Sequence, residues 1–328
     1  MIIAALNGLG RWGSVLLNSI QGTDVAKSRK IRFSTGIART LENYKTLAAE
    51  TGIELTDDFS SVLNNPEIDA VVLATPPFAH AEQIIAAAGA GKHVFVEKPF
   101  TLDLAEAKAA IKACEDAGVV LAVGFNRRYY PSISALTKMI GAGRIGDVQH
   151  VEAHFCGITA MNIPAGSWRG ERANNPAGGM VARGIHCLDA LIHLCGDVES
   201  VFVDSDRRHS PNDVDDVTTM LLRFKSGATG YLATLMSTGE YWRMQVFGSE
   251  GWIELRSPTE LVVADTAGNT ENQTFDDIDW QRTELENFAD AIEGGAPFYI
   301  KPEQALHGVE VMEAINASIA TGKRVSIG

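Results

Sequence analysis

The opening residues limit this chain more than any other stretch. An apolar run, Met1 to Leu6, passes straight into Asn7-Gly8-Leu9-Gly10-Arg11-Trp12-Gly13, and Ser14 to Ile20 continues with helical character. A G-x-G-x-x-G set between a strand and a helix makes a phosphate cradle. Gly8 permits the tight turn, Gly10 lets backbone approach a pyrophosphate, and Gly13 lets helix and strand pack closely. Free amides and the dipole at the helix start favour the anion. Leu9, Arg11 and Trp12 complete the loop. The pattern predicts an N-terminal Rossmann dinucleotide-binding domain.

The next hundred residues repeat the alternation. Ile31 to Ala38 reads as a second strand and Leu41 to Thr51 as the helix after it. Ile68 to Ala74 is a near-continuous apolar strand, as in a parallel sheet covered on both faces. It ends in Thr75-Pro76-Pro77-Phe78-Ala79-His80, and a helix over 81–88 follows. His93 to Val96 meets Glu97-Lys98-Pro99, then a helix over 104–117, then a strand over 119–124. Strand ends in such a sheet share one edge, and ligands bind there. Thr75, Pro76, His80, Glu97, Lys98 and Asn126 are therefore expected near the glycine loop. The second strand ends in Gly36-Ile37-Ala38-Arg39-Thr40, with no carboxylate for ribose hydroxyls. Arg39 suits a 2′-phosphate instead, so NADP(H) is the preferred cofactor and NAD(H) the other candidate.

Beyond residue 124 the period changes. Val148 to Phe155, Val217 to Phe224, Thr229 to Ser237, Tyr241 to Gly248 and Gly251 to Arg256 read as strands, with hairpin-like turns at 225–227 and 248–251. Helices are expected at 130–143, 186–194, 284–293 and 302–321. The fold class is thus α/β plus α+β. Residues 1–123 form the dinucleotide-binding domain. Residues 124–328 form a substrate-binding and oligomerisation domain on a large mixed, mostly antiparallel β-sheet. Its open face predicts a homodimer or homotetramer.

The net charge of −13 argues against a nucleic-acid surface. No apolar run reaches the length of a membrane span, and the start lacks a signal peptide's basic region. Four scattered cysteines read as buried thiols in the cytoplasm. His150 and His154 lie too far apart on a strand to share a metal. Asp213, Asp215 and Asp216 read as a solvated loop, so no metal is assigned.

Together, Gly8-Leu9-Gly10-Arg11-Trp12-Gly13, Thr75-Pro76-Pro77 with His80, Glu97-Lys98-Pro99 and Gly184-Ile185-His186-Cys187-Leu188-Asp189 resemble the glucose-fructose oxidoreductase / inositol dehydrogenase (Gfo/Idh/MocA) family along essentially the whole chain. The resemblance implies an NAD(P)-dependent oxidoreductase moving hydride between nicotinamide and a hydroxyl or carbonyl carbon of a sugar, polyol or related cyclic substrate. It implies Lys98 in the active site and His186 as the acid/base. The family's common aspartate, four residues before the histidine, is replaced by Ala182. Imidazole titrates near working pH and suits proton transfer; the Lys98 ammonium can stabilise charge on the substrate oxygen. Arg127, Trp168, Arg169 and Asp189 are further substrate-binding candidates. A dihydrodiol dehydrogenase, or a non-catalytic dinucleotide sensor, is the alternative.

Overall fold

The computed structural model describes residues 1–328. The chain divides into two compact units, one of residues 1–126 and 279–306, the other of 127–278 and 307–328. The single boundary expected at 123/124 is therefore only the first crossing, at 126/127. The segment 279–306 returns to the first unit because its phenylalanines complete that core.

The first unit holds a six-stranded parallel sheet in the order β3-β2-β1-β4-β5-β6. The strands are β1 (Ile2–Asn7), β2 (Ile31–Ile37), β3 (Glu54–Thr56), β4 (Ala70–Leu73), β5 (His93–Glu97) and β6 (Leu121–Gly124). β4 and β6 are buried throughout, as their unbroken apolar runs require. The helices are α1 (Arg11–Gln21), α2 (Lys45–Thr51), α3 (Phe59–Leu63), α4 (His80–Gly89), α5 (Leu104–Ala117) and, from the returning segment, α8 (Trp280–Ile292). The Phe95 ring of β5 meets Phe288 of α8 at 5.8 Å and Phe298 at 6.2 Å, both edge-on. Strand order reverses between β1 and β4, which opens a crevice at the carboxyl ends of the strands.

The second unit is built on a nine-stranded sheet, β14-β13-β12-β11-β7-β10-β9-β8-β15. Its strands are β7 (Val148–Cys156), β8 (Val198–Asp206), β9 (Val217–Phe224), β10 (Thr229–Leu235), β11 (Tyr241–Gly248), β12 (Gly251–Ser257), β13 (Glu260–Asp265), β14 (Thr270–Thr274) and β15 (Val325–Ser326). Only β7 and β10 pair in parallel. Burial alternates along β9, the mark of one covered and one open face. α6 (Pro131–Gly141) packs on β12 and α7 (Ile185–Cys195) on β7. α9 (Pro302–Thr321) is fastened to β8 by two buried bonds: the Val198 amide donates to His307 Nε2 (2.8 Å) and the Val203 amide to Ser318 Oγ (3.0 Å). No helix is long and apolar enough to cross a membrane, and all four cysteines are free and buried.

The acidic run at 213–216 differs from the solvated loop expected. Asp216 is fully buried and takes the Arg208 and His209 amides, while Asp215 is buried against Arg172 (2.7 Å) and Ser205 (3.0 Å). These two carboxylates hold the loop together from inside, while Asp213 is exposed as expected.

Candidate active site

The three glycines of the loop do different work. Gly8 has φ +101°, and a Cβ there would lie 2.7 Å from the Ala74 carbonyl oxygen. A Cβ on Gly13 would lie 1.9 Å from the Gly8 carbonyl oxygen. At Gly10 a Cβ would meet nothing within 4 Å. The protein's own packing does not require a glycine at this third position, which leaves the backbone there open to close approach. α3, α5 and α8 are capped by Asp58, Asp103 and Asp279, whereas α1, like α2 and α4, begins with no side-chain cap. Its amides stay open to an anion. Leu9 is buried, so it offers only backbone to a ligand; Arg11 and Arg39 are exposed and neither forms an ion pair.

The ends of β4 and β5 are bolted together by one ring. His80 is fully buried. Its Nδ1 faces the carbonyls of Pro99 (3.0 Å) and Phe100 (3.1 Å), and its Nε2 faces that of Thr75 (3.0 Å). Burial pushes its pKa down. The Thr75 hydroxyl donates to Gln83 Oε1 (2.7 Å), which fixes the turn through Pro76 from α4. The peptide bond from Lys98 to Pro99 is cis. Both ring nitrogens of His80 thus face backbone carbonyls of the two turns, rather than the open space expected for a cofactor contact.

Glu97 ends β5 almost wholly buried. Desolvation pushes its carboxyl up to about 7, against the pull of the Trp12 indole N–H and the Lys98 ammonium. The indole faces the carboxyl without closing a hydrogen bond; Trp12 Nε1, Glu97 Oε1 and Asn126 Oδ1 are all buried without one. Trp12 lies in the first turn of α1, Glu97 ends β5 and Asn126 follows β6, and buried polar groups call for partners. One donor and two acceptors, beside an uncapped helix start, fit the carboxamide and phosphates of a nicotinamide dinucleotide. Half-buried Lys98 follows directly.

In the second unit, His186 is the second residue of α7 and is buried. A π-helical turn, Met180–Gly184, leads into it and carries Ala182, so a methyl group occupies the place of the expected acid. Asp189 differs from expectation. Its two oxygens take Arg128 Nε and Nη2, each at 2.7 Å, in a buried fork. Burial raises its carboxyl while Arg128 lowers it; two short parallel bonds are the geometry of an ionised pair. Asp189 therefore serves the unit's interior rather than a ligand. Trp168 and Arg169 sit on a short 3₁₀ turn, with the guanidinium 4.4 Å from the indole. Arg127 stacks 4.2 Å from the Phe155 ring and donates to the Tyr130 hydroxyl.

The sequence reading missed Phe155, Arg183 and Glu240. Arg183 lies 4.8 Å from the same Phe155 ring and forks onto Glu240 (2.7 and 2.8 Å). Its place next to Ala182 was the available signal. Glu240 gave none, because it arrives from the distant connection between β10 and β11, which flank β7.

Residues 3–125 match the oxidoreductase family with an NAD-binding Rossmann fold, and residues 133–254 match the GFO/IDH/MocA C-terminal domain. The chain is 32% identical over 298 residues to a scyllo-inositol 2-dehydrogenase (NAD(+)) of Bacillus subtilis, covering 86% of this chain and 84% of the relative. The chain belongs to the Gfo/Idh/MocA family. It is an NAD(P)-dependent oxidoreductase. A second relative, D-xylose 1-dehydrogenase (NADP(+)) 2 of Haloferax volcanii, is 31% identical over 294 residues, covering 86% of this chain and 87% of its own. Among solved structures, the aldose-aldose oxidoreductase of Caulobacter crescentus superposes with a TM-score of 0.87 at 25% identity, covering 99% of each chain. The relatives use either dinucleotide, so membership leaves the choice to this chain's own residues.

Proposed function

We propose that this enzyme oxidises a secondary hydroxyl of a sugar, polyol or related cyclic substrate, or reduces the matching carbonyl, with Lys98 and His186 handling the oxygen. A bound nicotinamide would supply the hydride acceptor at C4. In the oxidative direction His186 takes the hydroxyl proton, and the Lys98 ammonium stabilises negative charge gathering on that oxygen. Glu97 and the His80 bolt hold Lys98 in place. The carrying observation is the group of unfilled polar atoms, Trp12 Nε1, Glu97 Oε1 and Asn126 Oδ1, on the strand edge that also bears Lys98. The named activities of the inositol and xylose relatives support the substrate class.

The cofactor reading is NADP(H). Arg39 stands exposed and without an ion pair where β2 ends, and residues 36–40 contain no carboxylate. We read the open face of the nine-stranded sheet as a self-association surface: Leu221 is 47% exposed in mid-strand, in register with Phe202 and Tyr231. The cytoplasm suits four free thiols.

Ala182 favours one second reading, a dinucleotide sensor without turnover. Reduction of NADP⁺ and NAD⁺ across a sugar and polyol panel separates the two. Lys98→Ala should lower kcat at least ~100-fold with dinucleotide affinity little changed; near-normal turnover removes Lys98 from the chemistry. Arg39→Ala should weaken NADP⁺ far more than NAD⁺, and equal weakening defeats the assignment.

A further inference from the structure

Arg127 and Arg128 are neighbours in sequence with opposite fates. Arg128 uses its Nε–Nη2 edge on the Asp189 carboxylate. Arg127 spends Nη1 on the Tyr130 hydroxyl and lays its plane against Phe155, which leaves the same Nε–Nη2 edge without an acceptor. Its Nε is buried and makes no hydrogen bond. A guanidinium stays protonated in a protein, so this is a half-buried cation with no ion-pair partner and with its buried Nε unbonded.

No carboxylate in its surroundings is bonded to Arg127. Arg127 lines a pocket of ≈ 240 Å³ with Tyr130, Phe155, Glu240, Trp242 and Arg256. Glu240 is committed to Arg183 in a two-bond fork, and Arg256 has Glu254 at 3.0 Å. Burial pushes the Tyr130 phenol up to about 12 and the Cys187 thiol likewise, so both are neutral. Asp189 is taken, and position 182 is alanine. Cys187 feels the Arg127 charge and adjoins His186 in α7, so Arg127 itself stands near the start of the helix that carries the proposed base.

We propose that the substrate carries a carboxylate which takes the free edge of Arg127, making this an oxidoreductase of sugar acids or carboxylated polyols. The inference rests on the dehydrogenase reading above and narrows it. The planar fork of a guanidinium edge matches a carboxylate in two parallel bonds, and such bonds are strong where water is excluded. The carboxylate is a spectator: the CH–OH carbon loses hydride to nicotinamide and its hydroxyl proton to base, giving C=O, reduced dinucleotide and H⁺.

The test uses matched pairs on the whole protein with saturating NADP⁺: D-glucuronate and its methyl ester, D-galacturonate and D-galactose, D-gluconate and D-glucitol. Binding is measured by calorimetry and nicotinamide reduction by absorbance. At least one carboxylated member should bind about 10- to 100-fold more tightly than its neutral partner, and Arg127→Met should bring that ratio close to one. The glucuronate–ester comparison needs only the wild-type protein, so it holds even if the variant folds poorly. If no carboxylated member outbinds its partner, or if Arg127→Met keeps the preference, the proposal is overturned. Turnover confined to neutral sugars also overturns it and leaves the dehydrogenase standing. Selective carboxylate binding without any nicotinamide reduction supports the Arg127 site and counts against the dehydrogenase reading.

Discussion

Glu97→Gln should flatten the dependence of stability on pH between about 5 and 7. The wild-type carboxyl ordinarily titrates at 4.5 but is pushed up to about 7 in the folded protein by burial. A folded-state pKa raised above the unfolded one gives stability that is complete below 4.5 and is lost as pH rises through about 7. Near pH 6 the unfolded chain has released this proton and the folded one mostly keeps it. The slope from this group is then about −1.2 kcal/mol per pH unit. Over the whole window the gap of about 2.5 units at 1.36 kcal/mol each gives about 3 kcal/mol. Glutamine keeps the shape and removes the proton equilibrium. The assay is urea denaturation of the ligand-free protein at pH 5, 6, 7 and 8, read as the difference between wild type and variant. His80, His93 and His154 have lowered pKa values and tilt stability the opposite way, but they cancel in that difference. Parallel profiles, within about 0.5 kcal/mol across the range, would refute the reasoning and mean that Glu97 is ionised in the fold throughout.

Two other perturbations separate ligand from scaffold. Gly10→Ala places a methyl group in open space, so stability should change by no more than about 1 kcal/mol while dinucleotide affinity, measured by fluorescence titration, falls at least ~10-fold; unchanged affinity would show that the phosphates lie elsewhere. Gly13→Ala drives a methyl group into the Gly8 carbonyl and should destabilise the protein by ~1–3 kcal/mol or more, with a clearly lower Tm; an unshifted Tm contradicts the packing. Asp189→Asn strands the buried Arg128 charge and should cost about 3–5 kcal/mol in chemical denaturation. A loss below about 1 kcal/mol would mean the pair is not ionised.

Local chemistry explains what could be read from the sequence. The bounds expected for α5 and α9 match those found. For α5, Asp103 caps the start and Gly118 takes the left-handed turn at the end, and both signals lie within the helix's own sequence. The glycine loop was legible for the same reason. β8 was not foreseen, although it is nine residues long; its polar residues, Glu199, Ser200, Asp204, Ser205 and Asp206, break the apolar alternation that marks a half-buried strand. Short β3, β14 and β15 have too few residues to carry a period. The fates of Arg127, Arg128 and Asp189 depend on contacts made across tens of residues, and no spacing rule separates a substrate arginine from a structural one beside it. His186 was found by motif; its neighbours Arg183 and Glu240 meet only in the folded unit.

The order in which the two units are threaded has a consequence for biosynthesis. The rings of Phe288 and Phe298 seal the side of Phe95, two residues before Glu97 on β5. On a translating ribosome, the first 126 residues emerge with that aromatic flank uncovered, and it stays uncovered while some 150 further residues are made. The nucleotide-binding unit therefore matures late despite being encoded first, and a fragment that stops at residue 126 would leave the strand beneath Lys98 open to aggregation.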